Sequence, residues 1–163
     1  MLKPKNSADD EKIALQIDDI IKIIGGLSME KKTFDAETIN LDEVLAFIDS
    51  KLEANDCPMK TQIQLNIASE EIFVNVAHYA YKPEIGPVDI IVEFAENPRR
   101  VLITFIDGGK PYNPLEKPDP DITLSAEDRQ EGGLGIYMVK NTMDDVIYEF
   151  SNGQNHLTMV KNL

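Results

Sequence analysis

Three short clusters in this chain hold residues whose types and spacing suit chemistry. The first is Glu71-Ile72-Phe73-Val74-Asn75-Val76-Ala77-His78. On a helix, Glu71, Asn75 and His78 fall at i, i+4 and i+7 and share one face. A carboxylate there could accept a proton from an attacking hydroxyl. The neutral amide oxygen of Asn75 is a hard ligand of the kind Mg²⁺ takes. A Glu and an Asn on a solvated helix face would have the same spacing. The second cluster, Phe105-Ile106-Asp107-Gly108-Gly109-Lys110-Pro111, ends an apolar run in an acid followed by two glycines. Asp107 can accept a hydrogen bond from the exocyclic amine of adenine, where guanine would present another acceptor. The glycines let a flat ring approach the backbone, although the same residues also make an ordinary tight turn. The third cluster runs Glu131-Gly132-Gly133-Leu134-Gly135-Ile136-Tyr137-Met138-Val139-Lys140. Glycines just ahead of a helix leave its first N–H groups open to phosphate, or simply make a flexible helix start. Gly109-Lys110 is no P-loop, because the upstream glycine and the following Ser or Thr are absent.

Periodicity indicates the elements that must position these clusters. Ile13, Ile17, Ile20, Ile24 and Leu27 recur at helical spacing up to Gly25-Gly26 and the polar residues beyond, which suits a terminal docked helix or a dimerisation helix. Residues 1–28 are therefore expected as a helical extension, and 29–163 as one domain. Lys32 to Ile39 suits a first strand anchored by Phe34. Asn40 or Asp42 is placed to cap a helix whose Val44, Leu45, Ile48 and Leu52 form one face. Pro58 breaks it, and Thr61 to Tyr81 resumes as a long helix until Lys82-Pro83. Leu65, Ala68, Ile72, Val76 and Ala80 give that helix an apolar face separate from the Glu71 face. Val88 to Phe94 and Val101 to Ile106 then read as strands joined in a hairpin. From Gly108 to Gly133 the chain is long, polar and rich in proline, which marks a lid or binding loop. A helix starts at Leu134. Two last strands, Asp145 to Phe150 and His156 to Val160, flank an Asn-Gly hairpin turn. Hairpins with the helices on one face make an α+β two-layer sandwich.

Composition narrows the function. The 163 residues include 16 Lys plus Arg against 29 Asp plus Glu, a formal net charge of -13. That balance repels phosphate backbones and argues against a dedicated nucleic-acid binder, while suiting a basic protein surface or a metal-nucleotide complex. At 42% hydrophobic residues the chain can bury a core. The single cysteine, Cys57, excludes an intrachain disulfide and a cysteine-rich zinc site. The polar N-terminus is no signal peptide, and no apolar run approaches the roughly 20 residues of a membrane span. A cytoplasmic protein is expected.

Taken in order, Glu-x-x-x-Asn, Asp-x-Gly, a proline-rich stretch and Gly-Leu-Gly at a helix start resemble the GHKL ATPases. This is the group, including gyrase and the histidine kinases, that has the Bergerat ATP-binding fold. The resemblance runs from about Lys31 to the end. His78-Tyr79-Ala80-Tyr81 and Met143-Asp144-Asp145-Val146 are most similar to the anti-sigma factor serine kinases. The resemblance implies a two-layer α/β sandwich with a mixed, mostly antiparallel sheet, and ATP with Mg²⁺ as cofactors. It assigns Asn75 to the metal, Glu71 as general base and Asp107 to adenine with Gly109 beside the base. Gly133, Leu134 and Gly135 would approach the phosphates, and Arg129 or Lys110 would neutralise the γ-phosphate. His78 is expected as a packed, hydrogen-bonded residue. Pro111 stands where many of the group have a further glycine.

The implied function is phosphoryl transfer from ATP to a serine of a STAS-type anti-sigma factor antagonist, together with sequestration of a sigma factor. A homodimer is a further implied partnership; nucleic acid and membrane are not. The rival from another class is an ATP-binding regulatory module that holds a protein partner without kinase activity, since Glu71 and Asn75 would be present in both. A sensor histidine kinase core would need a phosphoacceptor histidine in a preceding helical hairpin, and neither His78 nor His156 is so placed. A chaperone or DNA-handling ATPase would need a transducer domain beyond this length.

Overall fold

The computed structural model describes residues 28–125 and 133–163. Within them the chain passes through strand β1 (Ser28–Asp35), helices α1 (Leu41–Ala54) and α2 (Met59–Tyr79), and strands β2 (Pro87–Ala95) and β3 (Arg100–Asp107). Helix α3 (Leu134–Thr142) and strands β4 (Asp145–Ser151) and β5 (Gln154–Asn162) follow. The isoleucine stripe of the expected N-terminal extension lies outside the described residues.

Alternation builds the sheet. Val88, Ile90, Val92 and Phe94 of β2 are buried and the residues between them are not, the period of a strand with one face on a core. Val101, Ile103 and Phe105 of β3 and Leu157 and Met159 of β5 continue that face. The strand order is β1-β2-β3-β5-β4, and all four pairings are antiparallel. The expected mixed sheet is thus corrected to an antiparallel one among the described residues. The reason is the place of the last hairpin: β5, not β4, lies next to β3. Asn152 and Gly153 turn this hairpin with φ of 53° and 76°, as Asn-Gly suits.

Two boundaries also move. The first strand begins at Ser28 and ends at Asp35 opposite Pro87, where a residue without an N–H closes the ladder. The chain then turns through a short 3₁₀ segment, Thr38–Asn40. Asn40 occupies the α1 N-cap position but does not cap; its amide donates instead to the Asp35 carbonyl at 3.0 Å.

The helices cover one face of the sheet. Val44, Ile48 and Leu52 of α1, Leu65, Ala68, Ile72 and Phe73 of α2, and Ile136 and Val139 of α3 join the strand residues in one core. Each fully buried large side chain contributes about 1.5–3 kcal/mol. This packing holds α2 against β3, and with it the Glu71 cluster beside the Asp107 cluster.

Candidate active site

A cavity of about 370 Å³ opens between α2, α3, the ends of β3 and β5, and the segment after β3. Phe105, Ile136 and Leu157 are among its apolar walls, and Asn75, Asp107, Lys110 and Asn155 are among its polar lining. Asp107 closes β3 and is only 6% exposed. Its Oδ1 accepts from the Gly109 N–H and from the Asn155 amide, both at 2.9 Å. Its Oδ2 has no partner among the described residues, so the cavity presents one spare anionic acceptor between apolar walls. Such an acceptor is costly to bury unpaired and suits a ligand's N–H.

Asn155 was absent from the sequence-based site and is central to it. The buried amide bonds Asp107 and the Lys110 carbonyl through Nδ2, both at 2.9 Å. Its Oδ1 accepts from the Tyr112 N–H at 3.0 Å and the Tyr148 hydroxyl at 2.7 Å. The available signal was a polar residue in the inward phase of β5, where Leu157 and Met159 are apolar.

The loop after Asp107 is held from the α2 side. The Tyr81 hydroxyl accepts from the Gly108 N–H at 2.7 Å and donates to the Pro87 carbonyl. Burial pushes this phenol's pKa up; the Gly108 bond opposes that rise, and the nearby charges of Asp107 and Asp89 add to it. Lys110 N–H donates to the Ala80 carbonyl at 3.0 Å. Beside it, a Cβ on Gly109 would lie 2.3 Å from that carbonyl oxygen. Contact with the end of α2 therefore gives Gly109 a requirement beyond the expected approach of a ring.

On α2, the Asn75 amide donates to Glu71 Oε1 at 3.1 Å, leaving the Asn75 side-chain oxygen without a partner among the described residues. Asn75 lines the first cavity, whereas Glu71 lines a second one of about 320 Å³ between α2 and α3. Gly135 lies against that carboxylate: a Cβ there would sit 1.9 Å from Glu71 Cδ. Gly133 takes a left-handed φ of +93° at the α3 N-cap, and no side chain among the described residues caps the helix. Its first N–H groups find no side-chain acceptor among the described residues, which suits an anion. Leu134, next to it, is exposed.

Arg129, like Glu131 and Gly132, lies outside the described residues. Lys110 does line the cavity, together with Lys117, whose ammonium stands 5.7 Å from the centre of the Tyr112 ring. His78 departs from expectation. It is exposed, meets the Tyr79 ring edge-on, and its side chain makes no hydrogen bond among the described residues. Its position near the end of α2 turns it to water.

Among the described residues no group of three His, Cys, Asp or Glu side chains forms a metal cage. A hard cation at the Asn75 carbonyl would need oxygens from elsewhere, as nucleotide phosphates supply. The spare Asp107 oxygen, the apolar walls and the uncapped α3 N-terminus together fit a purine nucleotide with its metal.

The profile of the histidine kinase-like ATPase domain matches residues 34–161, from the end of β1 through β5. The chain belongs to the histidine kinase-like ATPase domain family. The serine/threonine-protein kinase BtrW of Bordetella bronchiseptica is 27% identical over 100 residues, or 61% of this chain and 70% of that protein. Serine-protein kinases RsbW of Bacillus thuringiensis and Bacillus cereus are each 34% identical over 86 residues, 50% of this chain and 52% of theirs. The match thus spans about half the length of the RsbW proteins. Similarity to these kinases supports a kinase-like regulatory role for this ATPase domain. No helix among its described residues is long and apolar enough to cross a membrane.

Proposed function

We propose that this chain is an ATP-dependent protein serine kinase of the anti-sigma factor type, which phosphorylates a STAS-type antagonist and sequesters a sigma factor. The observation that carries this is the Glu71–Asn75 hydrogen bond of 3.1 Å beside the cavity that holds Asp107. It brings a base and a metal-ligating oxygen together next to a nucleotide-shaped space. Asp107 Oδ2 accepts from the adenine amine, and Phe105, Ile136 and Leu157 exclude water from the ring. The N-terminus of α3 at Gly133, Leu134 and Gly135 meets the phosphates. Arg129 or Lys110 balances the γ-phosphate charge. Mg²⁺, when bound, neutralises phosphate charge, and the Asn75 carbonyl would help hold it.

Glu71 takes the proton of the serine hydroxyl while the serine oxygen bonds to the γ-phosphorus. The bond to the bridging oxygen breaks and ADP leaves, so positioning and charge supply most of the catalysis. An antagonist that is unphosphorylated frees the sigma factor held by the kinase. The net charge of -13 suits basic protein partners rather than nucleic acid. A cytoplasmic location, a homodimer and a helical extension ahead of β1 complete the proposal.

The test is to incubate the protein with γ-labelled ATP and Mg²⁺ together with the STAS-domain protein of the same genome. Phosphoserine on that protein is the expected product. Tight ATP binding with no phosphoserine would instead mark a regulatory module that holds its partner without chemistry.

A further inference from the structure

We infer that the groove between α2 and α3 is the docking site of the acceptor protein. It takes a segment with an apolar anchor and basic flanks, whose hydroxyl reaches Glu71. This rests on the kinase reading above and adds where the acceptor binds and what chemistry it presents.

Helix α2 has two apolar faces. Leu65, Ala68 and Ile72 pack on the sheet side. Ile63 and Ile67, one turn apart, are 53% and 51% exposed, and Met138 of α3 is 42% exposed. Ile67 and Met138 both line the second cavity. Large apolar side chains left to water around a concavity mark an interaction surface more than a packing remainder. The charged residues lining this cavity are Glu70 and Glu71, with no cation among its described lining. A partner segment with basic residues beside its apolar anchor complements that charge.

Glu71 ties the groove to the nucleotide. It lines the groove, while the Asn75 bonded to it lines the Asp107 cavity. Ile67 precedes Glu71 by four residues, one helical turn or about 6 Å along the axis. A segment anchored on Ile67 and Met138 therefore lies within side-chain reach of the carboxylate. Gly135, assigned above to the phosphates, also lines the groove, so the acceptor hydroxyl meets the nucleotide at its phosphate end and not at its base.

The test uses Ile67→Glu and Met138→Glu, with Ile67→Leu as the apolar control and the STAS-domain protein as acceptor. Each glutamate variant should raise the acceptor KM at least tenfold, with ATP affinity and melting temperature unchanged. Ile67→Leu should stay within about twofold of the parent. An unchanged acceptor KM in both glutamate variants overturns the groove while leaving the kinase reading intact. If the parent binds the acceptor but does not phosphorylate it, the kinase reading fails. Acceptor Kd by calorimetry then decides the groove: loss of binding in the glutamate variants supports it and unchanged binding overturns it. A parent that neither binds nor phosphorylates the acceptor overturns both.

Discussion

The side-chain amide of Asn155 donates a 2.9 Å hydrogen bond to Oδ1 of Asp107, directly across the β3–β5 ladder. With Gly109 N–H on the same oxygen, this orients the carboxylate so that Oδ2 is the atom left for a ligand. The other bonds of the Asn155 amide reach Lys110, Tyr112 and Tyr148. One buried side chain thus joins the acceptor carboxylate to the start of the proline-rich segment.

Asp107→Asn should weaken ATP binding by about 1.5–3 kcal/mol, the worth of a charge-assisted hydrogen bond. Calorimetric titration with ATP checks this. Unchanged affinity would remove Asp107 from base recognition. Asn155→Ala should weaken ATP as well and lower folding stability by about 1–3 kcal/mol, because it strands buried partners. Urea unfolding measures that loss.

Glu71→Ala should keep ATP affinity within about threefold while slowing phosphoryl transfer by about 10²–10⁴, the usual worth of a general base. Single-turnover kinetics separates the two effects. Transfer at the parent rate would place the base elsewhere.

Gly135→Ala sets two effects against each other. Alanine in a helix is favoured over glycine by about 1 kcal/mol, but here its Cβ would sit 1.9 Å from Glu71 Cδ. The atoms met are the far end of a flexible side chain, so Glu71 should swing aside: transfer falls while stability changes by less than about 1 kcal/mol. In a Glu71→Ala background the alanine should cost no further transfer, a coupling that a double-mutant cycle in single-turnover kinetics reads directly. Additive losses would show that the two residues do not meet.

Acid should loosen the edge strand through Asp89. Burial works to raise the pKa of this carboxyl, but the bonds from Lys31 and Thr33 and the charge of Lys31 outweigh it and hold it below its ordinary value. Its stabilisation is therefore present above the unfolded pKa of about 3.9 and is lost as pH falls through the lower folded value. Asp89→Asn should be less stable than the parent at pH 7, and the gap should close as pH falls through the lower folded value. A gap that persists undiminished there would show the residue acting through packing instead.

Much of the fold was legible because its signals are local. The period of two in β2 and β3 and the period of 3.6 in α1 and α2 follow from backbone geometry that each segment has by itself. Strand β1 was misplaced because it is an edge strand with one buried residue, Phe34. It has little alternation to read, and its ends are set by pairing with β2. The antiparallel arrangement beside β3 likewise depended on which strand of the last hairpin came to lie next to it.

The site divides along the same line. By itself the sequence determined that Glu71 and Asn75 share a helix face, since i and i+4 meet whenever a helix forms. It also determined that an acid ends a buried strand at Asp107 and that glycines open the helix after Gly133. Only the tertiary structure brought in Asn155, 48 residues from the Asp107 it orients. It alone showed Gly109 against Ala80 and Gly135 against Glu71. These are contacts between elements, fixed by how the helices pack on the sheet, and no spacing along one segment encodes the distance to another.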